Sequence, residues 1–357
     1  MMLKTGKIHI FTVLTIVFAL ASTSCDKSLF DDEGDCEVHH IVRFRYEMNL
    51  KWADAFPAEV GSVALYVFDA DGIFVQEYKD RGPALSGESY GIELKDLPAG
   101  DYTFVAWCGL DNGADEESFS VPQPVAGKTR LDELTCSLRV RETRSAGYSS
   151  DELYALYHGY LEDTLVDEGD GTTFEHVIYL TKDTNHIRII LQELSADADM
   201  DPDDYELTIE AANGMMACDN TLLDAGVVTY LPWASDNDVV AVGKPEAGEM
   251  TYVKGIYADL SLARMTESQR NSLLLTVTDR KSGERIVARV PLVQYALLSR
   301  KYYEETYGHK LSDQEFLDRE DEYVFTFFLS GNRWVDSYIA IHAWRVVLHD
   351  YDVGSGR

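Results

Sequence analysis

Short apolar runs separated by turn residues recur along most of this chain, and they limit its possible folds more than any other feature. Residues 42–46 alternate apolar with basic side chains, which is the period of a strand with one buried face. The runs 63–68 and 73–78 flank Asp71 and Gly72, a pair typical of two-residue hairpin turns. The second half repeats the pattern at residues 177–180, 187–191, 205–211, 250–262, 273–278 and 286–290. The sequence therefore predicts an all-β fold.

Helices are predicted only as short insertions between strands. Pro291 favours the start of a helix over residues 291–307, and Ser312 followed by Glu315 forms a capping box near 312–317. The last predicted strand, 338–348, is apolar on both faces. It is interpreted either as a central core strand or as a strand that pairs with a neighbouring molecule.

The N-terminus has the order of a secretory signal peptide, which assigns residues 1–24 to export and not to the fold. Lys4 and Lys7 precede an apolar stretch, 8–20, and small residues follow up to Cys25. The stretch is shorter than the roughly 20 apolar residues that cross a bilayer. A cysteine directly after small residues is the position that lipoprotein processing acylates. We therefore predict that Cys25 carries lipid and fixes the chain to a membrane.

Ser22 stands where the usual lipoprotein motif has leucine, which leaves an alternative open. An ordinary cut near Ala21 would release a soluble protein. If Cys25 is acylated, the acidic residues 25–35 form a solvated tether between the lipid and the fold.

Roughly 330 residues follow the signal peptide, which is more than one sandwich core usually takes. Two domains are therefore expected. A boundary near residue 175 assigns residues 36–174 to an N-terminal β-sandwich and residues 175–357 to a C-terminal one. The polar stretch 141–150 is predicted to be an exposed loop.

The acidic charge limits the partners of the protein. Removing residues 1–24 takes away Lys4 and Lys7 and no acidic residue, so the net charge moves from −31 to −33. Because a charge of this sign repels phosphate groups, nucleic acid is excluded and anionic lipid headgroups are poor partners. Attachment to a membrane must then come from the lipid on Cys25.

The remaining cysteines leave their pairing open. Cys36, Cys108, Cys136 and Cys218 contain no CxxC pair, so a zinc site is not expected. In an oxidising compartment they allow three disulfide pairings, among which the spacing does not choose. The alternative is that Cys108 and Cys218 are buried, unpaired apolar residues.

No arrangement of residues predicts catalysis, and we expect neither an enzyme nor a cofactor, a metal or a small-molecule substrate. The chain contains no GxSxG, P-loop, HExxH or GxGxxG motif. His39 and His40 are neighbours in a strand, so they point to opposite faces and cannot share one metal. Two acidic clusters are interpreted as solvated surfaces, with weak calcium binding as the alternative for the first: Asp197, Asp199, Asp201, Asp203 and Asp204; and Glu162, Asp163, Asp167, Glu168 and Asp170.

Four segments resemble the FimB-type fimbrium anchoring subunits of the Bacteroidales, in the right order along nearly the whole mature chain. They are Leu97-Pro-Ala-Gly-Asp-Tyr-Thr-Phe-Val-Ala-Trp107, Leu180-Thr-Lys-Asp-Thr-Asn-His-Ile-Arg-Ile-Ile-Leu191, Tyr205-Glu-Leu-Thr-Ile with Asn213 and Gly214 following, and Phe316-Leu-Asp-Arg-Glu-Asp-Glu-Tyr323 with Trp344 downstream. The first turn also occurs in other extracellular β-sandwiches. The combination of all four with a lipoprotein start carries the resemblance.

The resemblance implies two tandem transthyretin-like β-sandwich domains with short helical insertions. It implies a lipid-anchored subunit at the base of a fimbrium, on the outer membrane, that holds fimbrial shaft subunits and limits shaft length. In related shaft subunits a protease cuts after an arginine and frees a groove for a neighbour's strand. An anchor is expected to keep its first strand, so residues 38–46, including Arg43 and Arg45, should stay paired in their own sheet.

Two other functions are compatible with the same sequence. One is a tip or accessory subunit of the same fimbriae. The other is a glycan-binding surface lipoprotein, which predicts exposed coplanar aromatic side chains drawn from Trp52, Trp233 and Trp334.

Overall fold

The computed structural model describes residues 38–87, 89–142, 147–168, 171–194, 200–242, 251–341 and 344–348. Its first half is built on one seven-stranded sheet. In spatial order the strands are β3 (Phe74–Arg81), β2 (Ser62–Asp69), β5 (Gly100–Cys108), β10 (Tyr157–Leu165), β11 (Thr173–Lys182), β1 (His39–Arg45) and β4 (Ile92–Leu94). β1 runs parallel to β11, and the other neighbours are antiparallel.

Both faces of this sheet carry buried side chains. On one face, Val42 and Phe44 of β1 pack in a core with Phe56 of the short helix α1 (Phe56–Glu59) and with Leu85. On the other face, Trp107 packs in a second core that includes a small sheet. The strands of that sheet are β14 (Met215–Ala217), β7 (Thr135–Leu138) and β6 (Phe119–Ser120).

The second half contains two six-stranded sheets that share a single core. The first consists of β16 (Ala234–Val242), β17 (Thr251–Ala263), β12 (Thr184–Glu193), β20 (Glu322–Leu329), β21 (Trp334–Ile341) and β22 (Trp344–Leu348). The second consists of β19 (Arg285–Pro291), β18 (Leu274–Asp279), β13 (Tyr205–Ala211), β15 (Val228–Tyr230), β9 (Gly147–Ser149) and β8 (Arg141–Glu142). Apolar side chains of α2 (Leu292–Tyr307) and α3 (Asp313–Arg319) pack against this core. The predicted all-β fold with short helical insertions is confirmed.

Several local predictions are confirmed by the backbone. α2 begins directly after Pro291, and the Ser312 hydroxyl accepts a hydrogen bond from the Glu315 N–H at the start of α3. Gly72 has a φ of 70° between β2 and β3. This left-handed conformation is accessible to glycine at little cost, which explains the hairpin at that position.

Two predictions about strands are wrong. The stretch 141–150 is not simply a loop, because β8 and β9 pair with each other and β9 pairs in parallel with β15. The stretch 338–348 is not one central strand. It forms the end of β21 and all of β22, and β22 lies at the edge of its sheet.

The boundary drawn near residue 175 falls inside β11, which belongs to the seven-stranded sheet. The chain passes from that sheet to the next between Lys182 and Thr184. Asp183 at this junction is fully buried, and its carboxylate accepts hydrogen bonds from Asn220 at 2.9 Å and Arg264 at 2.7 Å. Burial raises the pKa of Asp183, although the Arg264 guanidinium opposes the shift.

Trp52 joins the segment after β1 to the helices of the second half. Its ring lies 3.6 Å below the Arg319 guanidinium and stacks on His309 with centroids 4.5 Å apart. The indole N–H donates to the Tyr303 hydroxyl at 2.8 Å. Arg319 also donates to the carbonyl groups of Glu47 and Asn49. These contacts hold Trp52 in a left-handed conformation with a φ of 53°.

Replacing Trp52 with alanine removes the cation–π contact, the stacked ring and the hydrogen bond together. We expect the free energy of unfolding to fall by about 2 kcal/mol, less than for a fully buried tryptophan because Trp52 is 42% exposed. Urea denaturation measures this. Tyr179→Ala is the control, since Tyr179 is 60% exposed and should change stability by no more than about 0.5 kcal/mol. Equal stability of the two variants would contradict the role given to Trp52.

His158 is buried where the seven-stranded sheet meets the second half. Its ring lies 4.6 Å from that of Trp107, and its Nε2 is 2.8 Å from the Cys218 carbonyl oxygen. Burial lowers the pKa of His158 to about 4, although the Cys218 carbonyl favours the protonated form. The side chain is therefore a neutral donor in the folded protein at neutral pH.

Acid should destabilise the protein through His158. In the unfolded chain this side chain gains a proton near pH 6.5, whereas the folded protein resists protonation down to about pH 4. The contribution of neutral His158 to the free energy of unfolding is complete above about pH 6.5 and decreases as the pH falls. The loss reaches about 3 kcal/mol near pH 4. Urea denaturation at several pH values in this range measures the free energy of unfolding, which should depend less on pH in His158→Gln than in the wild type. The same dependence on pH in both proteins would rule this explanation out.

Candidate functional site

The first strand is the candidate functional site, because its pairing bears on whether the chain can serve as an anchor. β1 pairs along its whole length with β11, from His39 opposite Thr173 to Arg45 opposite Tyr179. On its other side β4 pairs with residues 40–42. The strand is therefore an interior member of the sheet, paired as predicted with strands of its own chain.

Arg43 connects β1 to β11 and to the segment that precedes β4. Its Nε and Nη2 donate to Glu175 Oε1 of β11 at 3.0 and 2.8 Å, and its Nη1 donates to the Tyr90 carbonyl at 2.9 Å. The guanidinium lowers the pKa of Glu175 by hydrogen bonding and by its charge. A glycine is needed beside it, because a Cβ on Gly91 would meet Ile41 Cγ2 at 2.5 Å. The close approach of Gly91 allows β4 to reach β1.

The two adjacent histidines of β1 point to opposite faces, as predicted. His39 Nδ1 lies 2.9 Å from a carboxylate oxygen of Glu93 on the outer face. His40 is buried on the inner face, where its Nδ1 lies 2.9 Å from Nε2 of His176. Within the described ranges there is no group of three or more histidine, cysteine, aspartate and glutamate residues that could hold a metal ion.

The end of β1 is fixed by side-chain contacts with the following segment. Asp54 Oδ1 accepts hydrogen bonds from the backbone N–H groups of Tyr46 and Phe56, each at 3.0 Å. The Asn49 amide donates to the carbonyl groups of Tyr46 and Ala53. Together with the contacts of Trp52, these bonds attach the end of the strand to the second half of the protein.

An arginine-specific protease cleaves the peptide bond after an arginine, so Arg43 and Arg45 each mark a potential cleavage site. The pairing of β1 makes both bonds inaccessible to the protease. We expect Arg43→Gln to increase the rate of tryptic cleavage after Arg45 roughly fivefold, because β1 opens more often without its charged hydrogen bonds. The cleaved fragment is measured by mass spectrometry during a short digestion. Arg81→Gln is a matched control, since it also removes an ion pair, with Asp111 at 2.7 Å, but on β3. Equal cleavage of both variants would contradict the role of Arg43.

The structure does not combine the three tryptophans predicted for glycan binding. Trp52 packs between Arg319 and His309. Trp233 lies beside the His186 ring, with centroids 5.9 Å apart, and Trp334 packs edge-on against Phe327 at 5.7 Å. Each ring thus has its own packing partners. Among the described residues, no ring contact joins the three tryptophans into the common aromatic surface that the glycan-binding interpretation predicts.

Trp233 lines a cleft of about 300 Å³ close to the junction at Asp183. Four of its charged side chains form two ion pairs: Lys182 with Asp321, and Arg188 with Asp259 at 2.7 Å. Both basic residues of the cleft are thus held by carboxylates, whereas Glu152 and Glu322 also line it, so the acidic side chains outnumber the basic ones.

The cysteines and acidic clusters are placed as follows. Cys108 and Cys136 are buried and unpaired, Cys218 is partly buried and unpaired, and burial raises the pKa of the Cys108 thiol. In the second acidic cluster Asp163 contacts His176, and Glu162 accepts a hydrogen bond from Tyr160. The signal peptide, the tether at 25–35 and five predicted residues lie outside the described part of the chain: Cys25, Cys36, Asp170, Asp197 and Asp199. In the described part of the chain no helix is long and apolar enough to cross a membrane.

Comparison with known proteins gives consistent matches along the chain. The sequence profile of the fimbrillin-A associated anchor proteins Mfa1 and Mfa2 matches residues 32–350. The minor fimbrium anchoring subunit Mfa2 of Porphyromonas gingivalis is 26% identical over 280 residues, which are 78% of this chain and 77% of that protein. The solved structure of P. gingivalis Mfa2 aligns at 18% identity with a TM-score of 0.62, over 88% of this chain and all of the other.

Two solved structures from Bacteroides thetaiotaomicron are also similar. A candidate adhesin is 31% identical with a TM-score of 0.73, and a candidate polysaccharide-binding protein is 28% identical with a TM-score of 0.71. Each alignment covers 88% of this chain and 99% of the other.

The all-β fold and the matches along the chain define a protein of the fimbrial anchor type. The chain belongs to the family of fimbrillin-A associated anchor proteins Mfa1 and Mfa2. The resemblance to fimbrium anchoring subunits that the sequence segments indicated is confirmed.

Proposed function

We propose that this protein tethers a fimbrial shaft to the outer membrane through lipid on Cys25 and limits the length of the shaft. The observation that supports this most directly is the interior position of β1 in a chain of the anchor family. The proposal assigns no catalytic step to the protein. Its partners are fimbrial shaft subunits and the membrane.

The membrane end of the proposed mechanism depends on the N-terminal segment. Acyl chains on Cys25 insert into the lipid, and each buried methylene contributes about 0.8 kcal/mol. Residues 26–37 then connect the lipid to the start of β1. Because β1 is paired on both sides and is bonded through Arg43, the lipid is attached to the folded body and not to a loose end.

The limit on shaft length follows from the same strand. In the proposed assembly a shaft subunit loses its first strand and receives a strand from its neighbour. A subunit that keeps β1 leaves no vacant position between β11 and β4. It therefore terminates the row of subunits at the membrane.

Contact with the shaft is proposed to use backbone pairing at a sheet edge. β16 and β22 are the edge strands of one six-stranded sheet, and in the described part of the chain neither has a strand on its outer side. β16 pairs with β17 through nine residues, so it presents a long row of backbone groups. An added strand satisfies those groups and buries alternate side chains without any catalytic residue.

Cys25→Ala tests the membrane attachment. In cells that make the fimbriae, we expect the variant to leave the membrane fraction and the shafts to appear in the medium, because no other acylation site is proposed. Fractionation with immunoblotting measures both. Cys218→Ala is the control and should remain in the membrane fraction. If the Cys25→Ala variant stays membrane-bound, the lipid proposal fails, and if shafts stay attached without it, the anchoring proposal fails.

A further inference from the structure

Four groups form a continuous hydrogen-bonded chain at the beginning of β1. His40 Nε2 lies 2.8 Å from the Val166 carbonyl oxygen, and His40 Nδ1 lies 2.9 Å from His176 Nε2. His176 Nδ1 in turn lies 2.6 Å from Asp163 Oδ2. Both rings are shielded from solvent, with His40 8% and His176 5% exposed. The chain joins β1 to β11 and to the end of β10, close to the point where the N-terminal segment enters the sheet.

The two ends of this chain fix the number of protons that it needs. A backbone carbonyl only accepts, so His40 Nε2 must carry hydrogen, and an ionised carboxylate only accepts, so His176 Nδ1 must carry hydrogen as well. The contact between the two rings needs a third hydrogen. Two neutral imidazoles supply only two N–H groups. The complete set of three hydrogen bonds therefore requires one additional proton on the histidine pair.

The charge of Asp163 balances this proton. Burial opposes ionisation of Asp163, but hydrogen bonds from His176 and from the Thr164 N–H outweigh it and lower the pKa of this carboxyl group. When all three bonds are formed and Asp163 is ionised, the additional proton is on the histidines and the triad is neutral as a whole. When the proton leaves, two nitrogen lone pairs face each other or one bond opens.

The surroundings of the triad contain other charged groups, some in ion pairs and others exposed. On the outer face of the sheet, His39 pairs with Glu93 and Arg43 with Glu175. Beside Asp163, the Asp101 carboxylate accepts a hydrogen bond from Thr164 at 2.6 Å. Asp167 and Glu168 follow Val166 and are exposed. The aromatic neighbours are Phe174, stacked on His40 at 5.4 Å, and Phe104, which lies 6.2 Å from His176.

From this geometry we propose that Asp163, His176 and His40 form a pH-sensitive fastening that holds the start of β1 most firmly when the histidine pair is protonated. When the pH rises far enough for the histidine pair to lose this proton, one of the three bonds is lost. The first strand then opens more often. The inference concerns β1 itself and holds independently of the anchoring function.

Hydrogen exchange of the purified mature protein tests the proposal without shaft or membrane. The frequency with which β1 opens is obtained from the exchange of its amide hydrogens, corrected for intrinsic exchange, with β20 as the reference. We expect this frequency to be roughly tenfold higher at about pH 8 than at about pH 5.5. His176→Gln should remove this dependence, and His186→Gln, which changes a partly exposed histidine of β12, should retain it. A local measurement is needed because His158 makes global stability change in the opposite direction. If the frequency of β1 opening in the wild type does not change with pH, the proposal is overturned.

Ring-nitrogen NMR of the wild-type protein gives a second test that requires no variant to fold. At about pH 5.5 the rings of His40 and His176 should together carry three N–H groups, and at about pH 8 only two. Two neutral rings at both pH values would overturn the assignment.

Discussion

The pairing of β1 with β11 is the interaction on which the rest of the seven-stranded sheet depends. β1 contributes Val42, Phe44 and, just beyond its end, Tyr46 to the core on one face of the sheet. Burying a large apolar side chain contributes about 1.5 to 3 kcal/mol, so these three residues together contribute about 5 to 9 kcal/mol. That range is comparable with the whole stability of a typical domain. Removing β1 would therefore expose a core and not merely shorten an edge.

The second constraint is that strands from one half of the chain complete sheets of the other. β7 pairs with β14, and β9 pairs with β15, although each pair joins distant segments. One hydrophobic core consequently extends from Trp107 in the first sheet to Phe325 in the second half. The buried group of Asp183, Asn220 and Arg264 lies at the same junction. Because the two halves share these contacts, each supports the folding of the other.

The features that sequence reasoning captured are local ones. The two-residue period, the turn at Gly72 and the start of α2 after Pro291 depend on neighbouring residues, and the structure contains all three. Which strands pair with each other depends on segments far apart in sequence, so neighbouring residues do not predict it. The stretch 141–150 is polar because β8 and β9 are short and lie at the edge of a sheet, so it does not have the apolar period of a strand. The break between β21 and β22 was missed because the apolar pattern continues across it.

The candidate site was only partly visible for the same reason. The retention of the first strand was expected from the resemblance, and the opposite directions of His39 and His40 followed from the period of the strand. The contact of His40 with His176 joins residues far apart in sequence, and only the parallel register of β1 and β11 brings them together. Arg43 likewise gave no signal beyond its position, because its partners Glu175 and Tyr90 lie on two other segments.

The parallel register of β1 and β11 also has a mechanical consequence. Tension that reaches the protein through residues 26–37 enters the sheet at His39. When that pull is directed along the strand, the backbone hydrogen bonds of the seven residue pairs are loaded together in shear, since β1 must slide past β11 as a unit. A strand at the edge of a hairpin that is pulled sideways loses its bonds one after another. In the proposed anchor, the interior, lengthwise attachment of β1 would therefore suit a joint that is stretched whenever the cell is pulled by its fimbriae.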